Sequence, residues 1–265
     1  MNHSGRSERD LSGLRRVLAT TVLIGVVVFS GRLSASDRLI DDANWPAYQG
    51  GEDSPQYSPL KRIDKTNVKD LELAWFYPVN AKGLFGFNPV IVDGVMYLLG
   101  KDHTIVALNA ATGSQIWGHP VQSFVTSRGI NYWESKDRSD RRLIFSANNY
   151  LEEIDARTGL TIHSFGSDGR VNLREGLGRD PNSFVTIQSG TPGRIFENLI
   201  ILGSSTGEEY GSPPGDIRAF DILTGKMAWS FHTIPHPGEF GYETWPPDAW
   251  KYAGGVDVYK RQPLE

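Results

Sequence analysis

A short phrase built around a Thr-Gly pair occurs three times in this chain and limits the folds that the chain can adopt. Each copy places an apolar residue and an Asp or Asn before the pair and an aromatic-containing run after it: ALNAATGSQIW, EIDARTGLTIHSF and AFDILTGKMAWSF. The three glycines are Gly113, Gly159 and Gly225, which are 46 and 66 residues apart. A period in the forties is typical of β-propellers, whose blades are sheets of four strands.

Short apolar runs around each Thr-Gly pair predict the strands of the blades. NPVIVDG and VMYLLG predict one hairpin with Asp93-Gly94 as its turn, and TIVALNA and SQIWGH predict the next. The same order recurs as RLIFSAN, LEEIDA and LTIHSF, and again as LIILGS, IRAFDI and KMAWSF. DLELAWFY (residues 70–77) predicts a closing strand for a terminal blade. The sequence therefore predicts an all-β fold, a β-propeller of four-stranded blades.

The residues at fixed positions in the repeat have structural roles. The Thr-Gly pair predicts a tight turn with a left-handed residue, and Trp117 and Trp229, four residues after the glycine, are predicted to pack between neighbouring blades. His163 takes the place of this Trp in the middle copy, and we expect it in the core or at the rim rather than as a ligand. The repeat thus predicts the fold but not the activity.

The N-terminus has the features of an export signal. Arg15 and Arg16 precede an uncharged apolar run (residues 17–31), and small residues follow at 34–36. The run is shorter than the roughly 20 residues of a membrane span. We therefore expect residues 1–36 to be a cleaved signal peptide of a periplasmic protein, with a retained membrane anchor as the alternative.

Composition excludes several functional classes. The chain has no cysteine, which excludes disulfides, thiolate metal sites, Cys nucleophiles and lipidation at Cys. The formal net charge is −4, and nothing in the charge pattern indicates a nucleic-acid partner.

Five polar, Gly-rich segments are predicted to lie at one end of the propeller. In an up-and-down blade, the loop between the second and third strands shares an end with the loop that leads to the next blade, and the Thr-Gly turn lies at the other end. This rule groups residues 100–104, 124–134, 186–192, 203–216 and 232–245. Loops that converge at one end of a rigid scaffold are the usual place for a binding site.

The motifs in these loops and strands resemble the pyrroloquinoline quinone (PQQ)-dependent dehydrogenases. The resemblance runs from NWPAYQGGEDSPQYSPLKRIDKTNVKDLELAW to TWPPDAWKYAGG, and SRGINYWE and SPPGDIRAFDILTGK are its most specific parts. Within the family, the chain looks most like the glucose-dehydrogenase-like branch. The resemblance implies an eight-bladed propeller, of which residues 37–255 would form about half. It also implies hydride transfer from a sugar or alcohol hydroxyl to PQQ beside Ca²⁺, with ubiquinone or cytochrome c as the electron acceptor.

The resemblance assigns cofactor-binding and metal-binding roles to individual residues of this sequence. Arg128 in SRGINYW matches an arginine that binds a PQQ carboxylate, and Ser189 matches a hydroxyl that contacts the cofactor. Asp102 falls where sugar-oxidising relatives have a His near the substrate, so we count it with the cofactor-binding residues. In GSSTGEEYG, Glu208 and Glu209 are alternative Ca²⁺ ligands. His232 and His236 have helical metal-site spacing, but Pro235 and Pro237 are incompatible with a helix, so zinc is not expected.

The sequence departs from the family pattern in three ways. The adjacent cysteines that cover PQQ in alcohol-oxidising members are absent, and Gly86 stands where a Glu would contact a cofactor carboxylate. The last ten residues, VDVYKRQPLE (256–265), match neither a blade nor the family. We therefore expect a truncated gene with a non-native tail, and a catalytic Asp base beyond the end of this sequence. On this view the chain alone would be inactive and poorly soluble.

Two other functions are compatible with the repeat. One is a non-catalytic propeller, such as an envelope scaffold, which would need neither Arg128 nor the Glu208-Glu209 segment. The other is a relative that binds a sugar or quinone without turnover, for which Gly86 is the strongest support.

Overall fold

The protein is described from a computed structural model that covers residues 44–51, 54–79, 86–207 and 210–255. The signal peptide predicted over residues 1–36, the alternative Ca²⁺ ligands Glu208 and Glu209, and the tail predicted over residues 256–265 lie outside the described residues. Within the described ranges, no helix combines the length and the apolar character needed to span a bilayer.

Three antiparallel sheets of four strands make up the described part of the chain. The strands follow chain order in every sheet: β1-β2-β3-β4, β5-β6-β7-β8 and β9-β10-β11-β12. Their bounds are β1 Val90–Val92, β2 Val95–Leu99, β3 Thr104–Asn109, β4 Gln115–Pro120, β5 Asn131–Glu134, β6 Arg141–Ala147, β7 Tyr150–Asp155, β8 Arg170–Asn172, β9 Arg194–Phe196, β10 Leu199–Leu202, β11 Ile217–Asp221 and β12 Met227–Phe231. The helical segments are three-residue 3₁₀ turns at Tyr48–Gly50, Val68–Asp70, Lys101–His103, Pro181–Ser183, Tyr242–Thr244 and Ala249–Lys251.

This architecture confirms the prediction of four-stranded propeller blades. Each Thr-Gly pair follows the third strand of its sheet, and the first hairpin turns at Asp93 and Gly94, whose φ angles are 50° and 76°. Left-handed φ at both turn residues suits the twist of a two-residue hairpin. Because the strands alternate in direction, the described loop residues of these segments (100–103, 124–130, 186–192, 203–207, 210–216 and 232–245) lie at the end opposite the Thr-Gly turns. Residues 131–134, predicted as part of a loop, form strand β5 instead.

Two predicted strands are wrong. LTIHSF forms no strand, because only Thr161 bridges to β7, at Ile154. The fourth strand of the second sheet is β8 instead, which pairs with the start of β7. His163 lies at the exposed rim, where its Nδ1 is 2.6 Å from Asp168 Oδ1. DLELAWFY is likewise irregular throughout, apart from the end of a 3₁₀ turn at Asp70.

Tryptophan side chains contact the Thr-Gly turns of the first and second sheets. Trp75 Nε1 donates to Ala110 O at 3.1 Å, and Trp117 Nε1 donates to Ala156 O at 3.2 Å. This confirms the predicted packing of Trp117 between sheets. Trp229 is 41% exposed on β12 and has no such carbonyl partner in the described part of the chain.

The apolar core lies between successive sheets, and β6 contributes to both of its parts. Leu143 and Phe145 face the first sheet, whereas Ile144 faces the third. Arg142 lies on the same face of β6 as Ile144, since side chains alternate along a strand. Buried side chains on both faces therefore fix the second sheet between its neighbours.

Candidate functional site

Backbone contacts join the segments that lead into the first strand of each sheet. Asn88, before β1, forms a parallel bridge with Gly129, and its N–H donates to Arg128 O at 3.4 Å. The Arg128 N–H in turn donates to Gly190 O, before β9, at 3.2 Å. Ser189 precedes Gly190, so the fold brings the segments of Arg128 and Ser189 together.

The side chains along these joined segments have the chemistry to bind an anion. Arg128 is exposed, and no hydrogen bond or ion pair involves its guanidinium among the described residues. Ser189 Oγ is half-buried and lies 2.9 Å from Thr191 Oγ1, while Ser127 Oγ reaches Gly190 O at 3.5 Å. An unpaired guanidinium, on a segment joined to one that carries hydroxyls, is a suitable partner for a carboxylate.

Small residues leave the backbone accessible here. A Cβ atom at Gly86 would lie 3.9 Å from Ser127 O, and one at Gly190 would lie 3.6 Å from Ser127 Oγ. The Gly86 carbonyl accepts from Asn88 Nδ2 at 3.2 Å, which connects it to the Arg128 segment. Gly86 and Gly190 are both exposed, so a flat, negatively charged molecule such as PQQ can approach their peptide groups as well as Arg128, and in this respect the residues present fit the cofactor.

Asp102 lies near the segment of Arg128 but forms no hydrogen bond or ion pair with the described residues of this candidate site. Its backbone is left-handed (φ 52°), its side chain is 80% exposed, and its carboxylate is 3.7 Å from Lys101 Nζ. The next residue, His103, packs edge-on against Phe124 at 4.9 Å between ring centroids. No hydrogen bond or ion pair connects Asp102 with Arg128 or Ser189 in the described part of the chain.

A cleft of about 400 Å³ lies at the same end of the sheets. One wall is formed by residues 183–186, and the other by residues 205–207 and 210–213. Glu208 and Glu209 fall between the two parts of the second wall in the chain, but they lie outside the described residues. Within the described ranges, no three His, Asp or Glu side chains are grouped as metal ligands would be.

Arg179 is a residue that connects two loops next to the cleft, and the sequence reasoning missed it. Its guanidinium donates to three carbonyls of two loops: Nη1 to Ser212 O at 2.7 Å, Nε to Trp250 O at 2.9 Å, and Nη2 to Ala253 O. Burial lowers the pKa of Arg179. The only sequence signal was a charged residue inside a Gly-rich insertion.

A second polar group surrounds Asp216 at the start of β11. Asp216 is buried, burial raises the pKa of its carboxyl, and its Oδ2 has no hydrogen-bond partner among the described residues. The His232 and His236 rings stack at 3.7 Å, and Glu239 contacts both residues, at His232 Nδ1 and at the His236 N–H. These contacts fix the loop after β12 next to the cleft.

A family model places most of the chain in a known class of propeller. The model for the PQQ glucose/ethanol/alcohol dehydrogenase β-propeller domain matches residues 45–259. The dehydrogenase subunit of a quinone alcohol dehydrogenase from Gluconacetobacter polyoxogenes is 30% identical over 92% of this chain and 36% of its own length. Quinohemoprotein alcohol dehydrogenase ADH-IIG from Pseudomonas putida is 31% identical over 86% of this chain and 32% of its own length.

A sugar-oxidising relative also matches. Quinoprotein glucose dehydrogenase A from Acinetobacter calcoaceticus is 26% identical over 73% of this chain and 28% of its own length. The resemblance to the glucose-dehydrogenase-like branch stays a prediction, since both substrate classes occur among the relatives. The chain spans about a third of the length of the curated relatives it matches.

Solved structures show the same architecture. The crystal structure of quinohemoprotein alcohol dehydrogenase from Comamonas testosteroni matches with a TM-score of 0.57 and 27% identity, over 78% of this chain and 30% of that one. ADHIIG from Pseudomonas putida HK5 matches with a TM-score of 0.63 and 28% identity, over 82% of this chain and 32% of that one. The sheets described above therefore correspond to blades of a quinoprotein propeller.

Proposed function

The chain belongs to the glucose/ethanol/alcohol dehydrogenase β-propeller family, and from this premise we propose that it forms part of the PQQ site of a quinoprotein dehydrogenase. The substrate would be a sugar or alcohol whose hydroxyl carbon is oxidised. PQQ, when bound, supplies an ortho-quinone that accepts the two electrons and the hydrogen from that carbon. Ubiquinone or cytochrome c would be the electron acceptor.

The observation that carries this proposal is the unpaired Arg128 guanidinium on a backbone held by Asn88 and Gly190. Because Arg128 has no competing carboxylate among the described residues, it can form charge-assisted hydrogen bonds to a carboxylate of PQQ. Ser189 would add a neutral hydrogen bond from the adjacent segment. The fixed backbone holds both groups in place before the cofactor binds, which lowers the ordering cost of binding.

Further parts of the proposal rest on sequence. We assign Ca²⁺ to Glu208 or Glu209, because this ion prefers hard oxygen ligands and the neighbours of both residues line the cleft. Asp102 would lie near the substrate, since it flanks the loop that carries Arg128. The export signal predicted over residues 1–36 suggests that the protein works in the periplasm.

The decisive experiment is an equilibrium titration of the full chain with PQQ, in Ca²⁺ and in a chelator, followed by tryptophan fluorescence. We expect Arg128→Ala to weaken binding about 10- to 100-fold, because a hydrogen bond to a charged group contributes about 1.5–3 kcal/mol. Arg157→Ala is the matched control. It removes an exposed arginine at the opposite end, where Arg157 pairs with Asp155.

Equal losses in the two variants, or no binding by the wild type, would contradict the assignment of PQQ to this site. Binding by the wild type with no dye reduction in the presence of sugars or alcohols would favour the alternative of a ligand-binding relative without turnover. Gly86 is the residue that makes this alternative specific, because a cofactor-contacting Glu is replaced there.

A further inference from the structure

Asn149 makes an unusual set of contacts for a turn residue. It lies in the two-residue turn between β6 and β7, where Asn148 and Asn149 have left-handed φ angles of 47° and 67°. Its side chain is buried and holds the segment before β9 through three hydrogen bonds. Asn149 Nδ2 donates to Val185 O at 3.1 Å, and Oδ1 accepts from the N–H groups of Ile187 and Gln188 at 2.6 and 3.0 Å.

Gln188 returns the contact from the other side. Its Oε1 accepts from the Asn149 N–H at 3.0 Å, and its Nε2 donates to Phe124 O and Ser146 O at 3.3 and 3.2 Å. Each amide therefore binds the other residue's backbone, and we call this pair the amide clasp. The Asn149 amide is buried and satisfied at both ends, which fixes one geometry, because an alternative would leave a buried polar group unpaired.

The clasp acts on the residues of the anion site through the chain that it holds. Ser189 and Gly190 follow Gln188 directly, and Gly190 O is the acceptor for the Arg128 N–H. The Phe124 carbonyl accepts a hydrogen bond from Gln188 Nε2, and Phe124 begins the loop that carries Arg128. The clasp thus binds both segments that meet at the site.

We propose that Asn149 is a positioning residue for cofactor binding, which sets the segment of Ser189 and Gly190 against Arg128. The inference rests on the proposed function for the identity of the ligand, a planar carboxylate-bearing quinone. It concerns a residue that touches neither the ligand nor the Arg128 side chain. Asn149 would therefore contribute to affinity by removing the need to order this segment on binding.

Two glycine variants distinguish the positioning role of the Asn149 side chain from the role of Asn149 as a turn residue. Asn149→Gly keeps a residue that adopts left-handed φ readily but deletes the clasp. Asn148→Gly makes the same change at the exposed neighbour, whose side chain forms no hydrogen bond among the described residues. Both variants are made in the full chain and titrated with PQQ, and their amide hydrogen exchange is measured without PQQ.

We expect Asn149→Gly to bind PQQ at least tenfold more weakly and Asn148→Gly to stay within twofold of the wild type. Without PQQ, amides of Ile187, Gln188 and Arg128 should exchange at least tenfold faster in Asn149→Gly. Amides of Leu143 and Phe145 in β6 should be unchanged, which separates positioning from general destabilisation.

Wild-type affinity in Asn149→Gly, or unchanged exchange at Arg128, would overturn the inference. A wild type that fails to bind PQQ would overturn the proposed function instead, and the exchange at Arg128 would still decide whether Asn149 positions this segment. Faster exchange throughout β6 would also overturn the inference, because Asn149 would then stabilise the whole sheet.

Discussion

At Gly113 and Gly159, a missing side chain determines how one sheet contacts the next. Both residues have left-handed φ angles, 70° and 72°, and the ring of a tryptophan from the preceding segment occupies the space beside each Cα. A Cβ atom at Gly113 would lie 2.6 Å from the Trp75 ring, and one at Gly159 would lie 2.6 Å from the Trp117 ring. Glycine is therefore required twice over, by backbone conformation and by packing.

Gly159→Ala is expected to destabilise the protein by about 2 kcal/mol or more. Left-handed backbone costs a non-glycine residue about 1 kcal/mol, and overpacking against an indole ring costs a further 1–3 kcal/mol. The measurement is the free energy of unfolding from urea denaturation. Gly94→Ala is the control, since Gly94 has φ +76° but no atom within 4 Å of a built Cβ. Equal losses in the two variants would show that contact with Trp117 is not the cause.

Sequence alone predicted the residues of the repeat but not those that position the site. The Thr-Gly spacing and the tryptophan after it are local, so the repeat itself predicts where Trp117 packs. Arg128 and Ser189 came from the family resemblance, and the structure brings their segments together. Asn149 could not be identified in this way, because Asn148-Asn149 looks like an ordinary turn and its partners lie 36 to 39 residues away.

The contact between the second and third sheets is built differently from the contact between the first and second. The carbonyl of Ile222 occupies the place in its repeat that Ala110 and Ala156 occupy in theirs. No tryptophan among the described residues donates to it, and Arg142 Nη1 donates to it instead, at 3.0 Å. Arg142 Nη1 also donates to Glu153 Oε2 at 2.8 Å, so a buried, hydrogen-bonded arginine takes the place of the indole at this carbonyl. A tryptophan still crosses the interface elsewhere, because Trp133 Nε1 donates to Glu197 O at 3.0 Å.

The different contact between the second and third sheets also explains why LTIHSF forms no strand. A Cβ atom at Gly225 would lie 2.7 Å from Val171 Cγ2 and 2.9 Å from Gly166 N, and the Gly166 N–H donates to Thr224 O at 3.0 Å. The Val171 side chain and the Gly166 backbone thus fill the space that an indole fills at the other two Thr-Gly turns. The chain bends at Gly166 to reach this position, and only β8 then continues the sheet. Alternation in LTIHSF gave no sign of this contact, because the partner lies in the next repeat.

Glu153→Gln is expected to remove a pH dependence of stability. Burial raises the pKa of Glu153 to about 8, although the hydrogen bond from Arg142 opposes the shift. The folded protein then binds a proton that the unfolded chain releases near its ordinary pKa of 4.5. The stabilisation of the folded protein by this bound proton is complete below pH 4.5. It is lost as pH rises through about 8, and the free energy of unfolding falls by at most about 1.4 kcal/mol per pH unit.

The measurement is the free energy of unfolding of the wild type and of Glu153→Gln from pH 5 to 8. The stability of the wild type relative to the variant should fall steadily over this range. Glu72→Gln, at an exposed position, is the control and should run parallel to the wild type. Parallel curves for Glu153→Gln would show that Glu153 is ionised in the folded protein across the whole range.

At the scale of the whole molecule, the N-terminal segment connects the first sheet with the third. Trp45 pairs with Ile91 of β1 through two backbone hydrogen bonds of 2.7 and 3.0 Å. A few residues later, Arg194 at the start of β9 donates to the carbonyls of Tyr48 and Gly51, both at 2.8 Å, and its guanidinium lies 5.8 Å from the centre of the Tyr48 ring. Sheets far apart in sequence are therefore tied by a segment that precedes all of them.

Arg194→Ala tests whether this connection holds the sheets together or only anchors the segment. Loss of hydrogen bonds from a charged donor, each contributing about 1.5–3 kcal/mol, should free residues 45–51, so their amides should exchange at least tenfold faster. The control Arg170→Ala removes an exposed arginine that packs on Tyr150 within the second sheet, and it should leave these amides unchanged.

If amides of β9 and β10 also exchange faster in Arg194→Ala, the segment stabilises the third sheet. If only residues 45–51 respond, packing between neighbouring sheets suffices to hold the blades. If residues 45–51 do not respond, Arg194 does not fix the segment, and the pairing of Trp45 with Ile91 must do so.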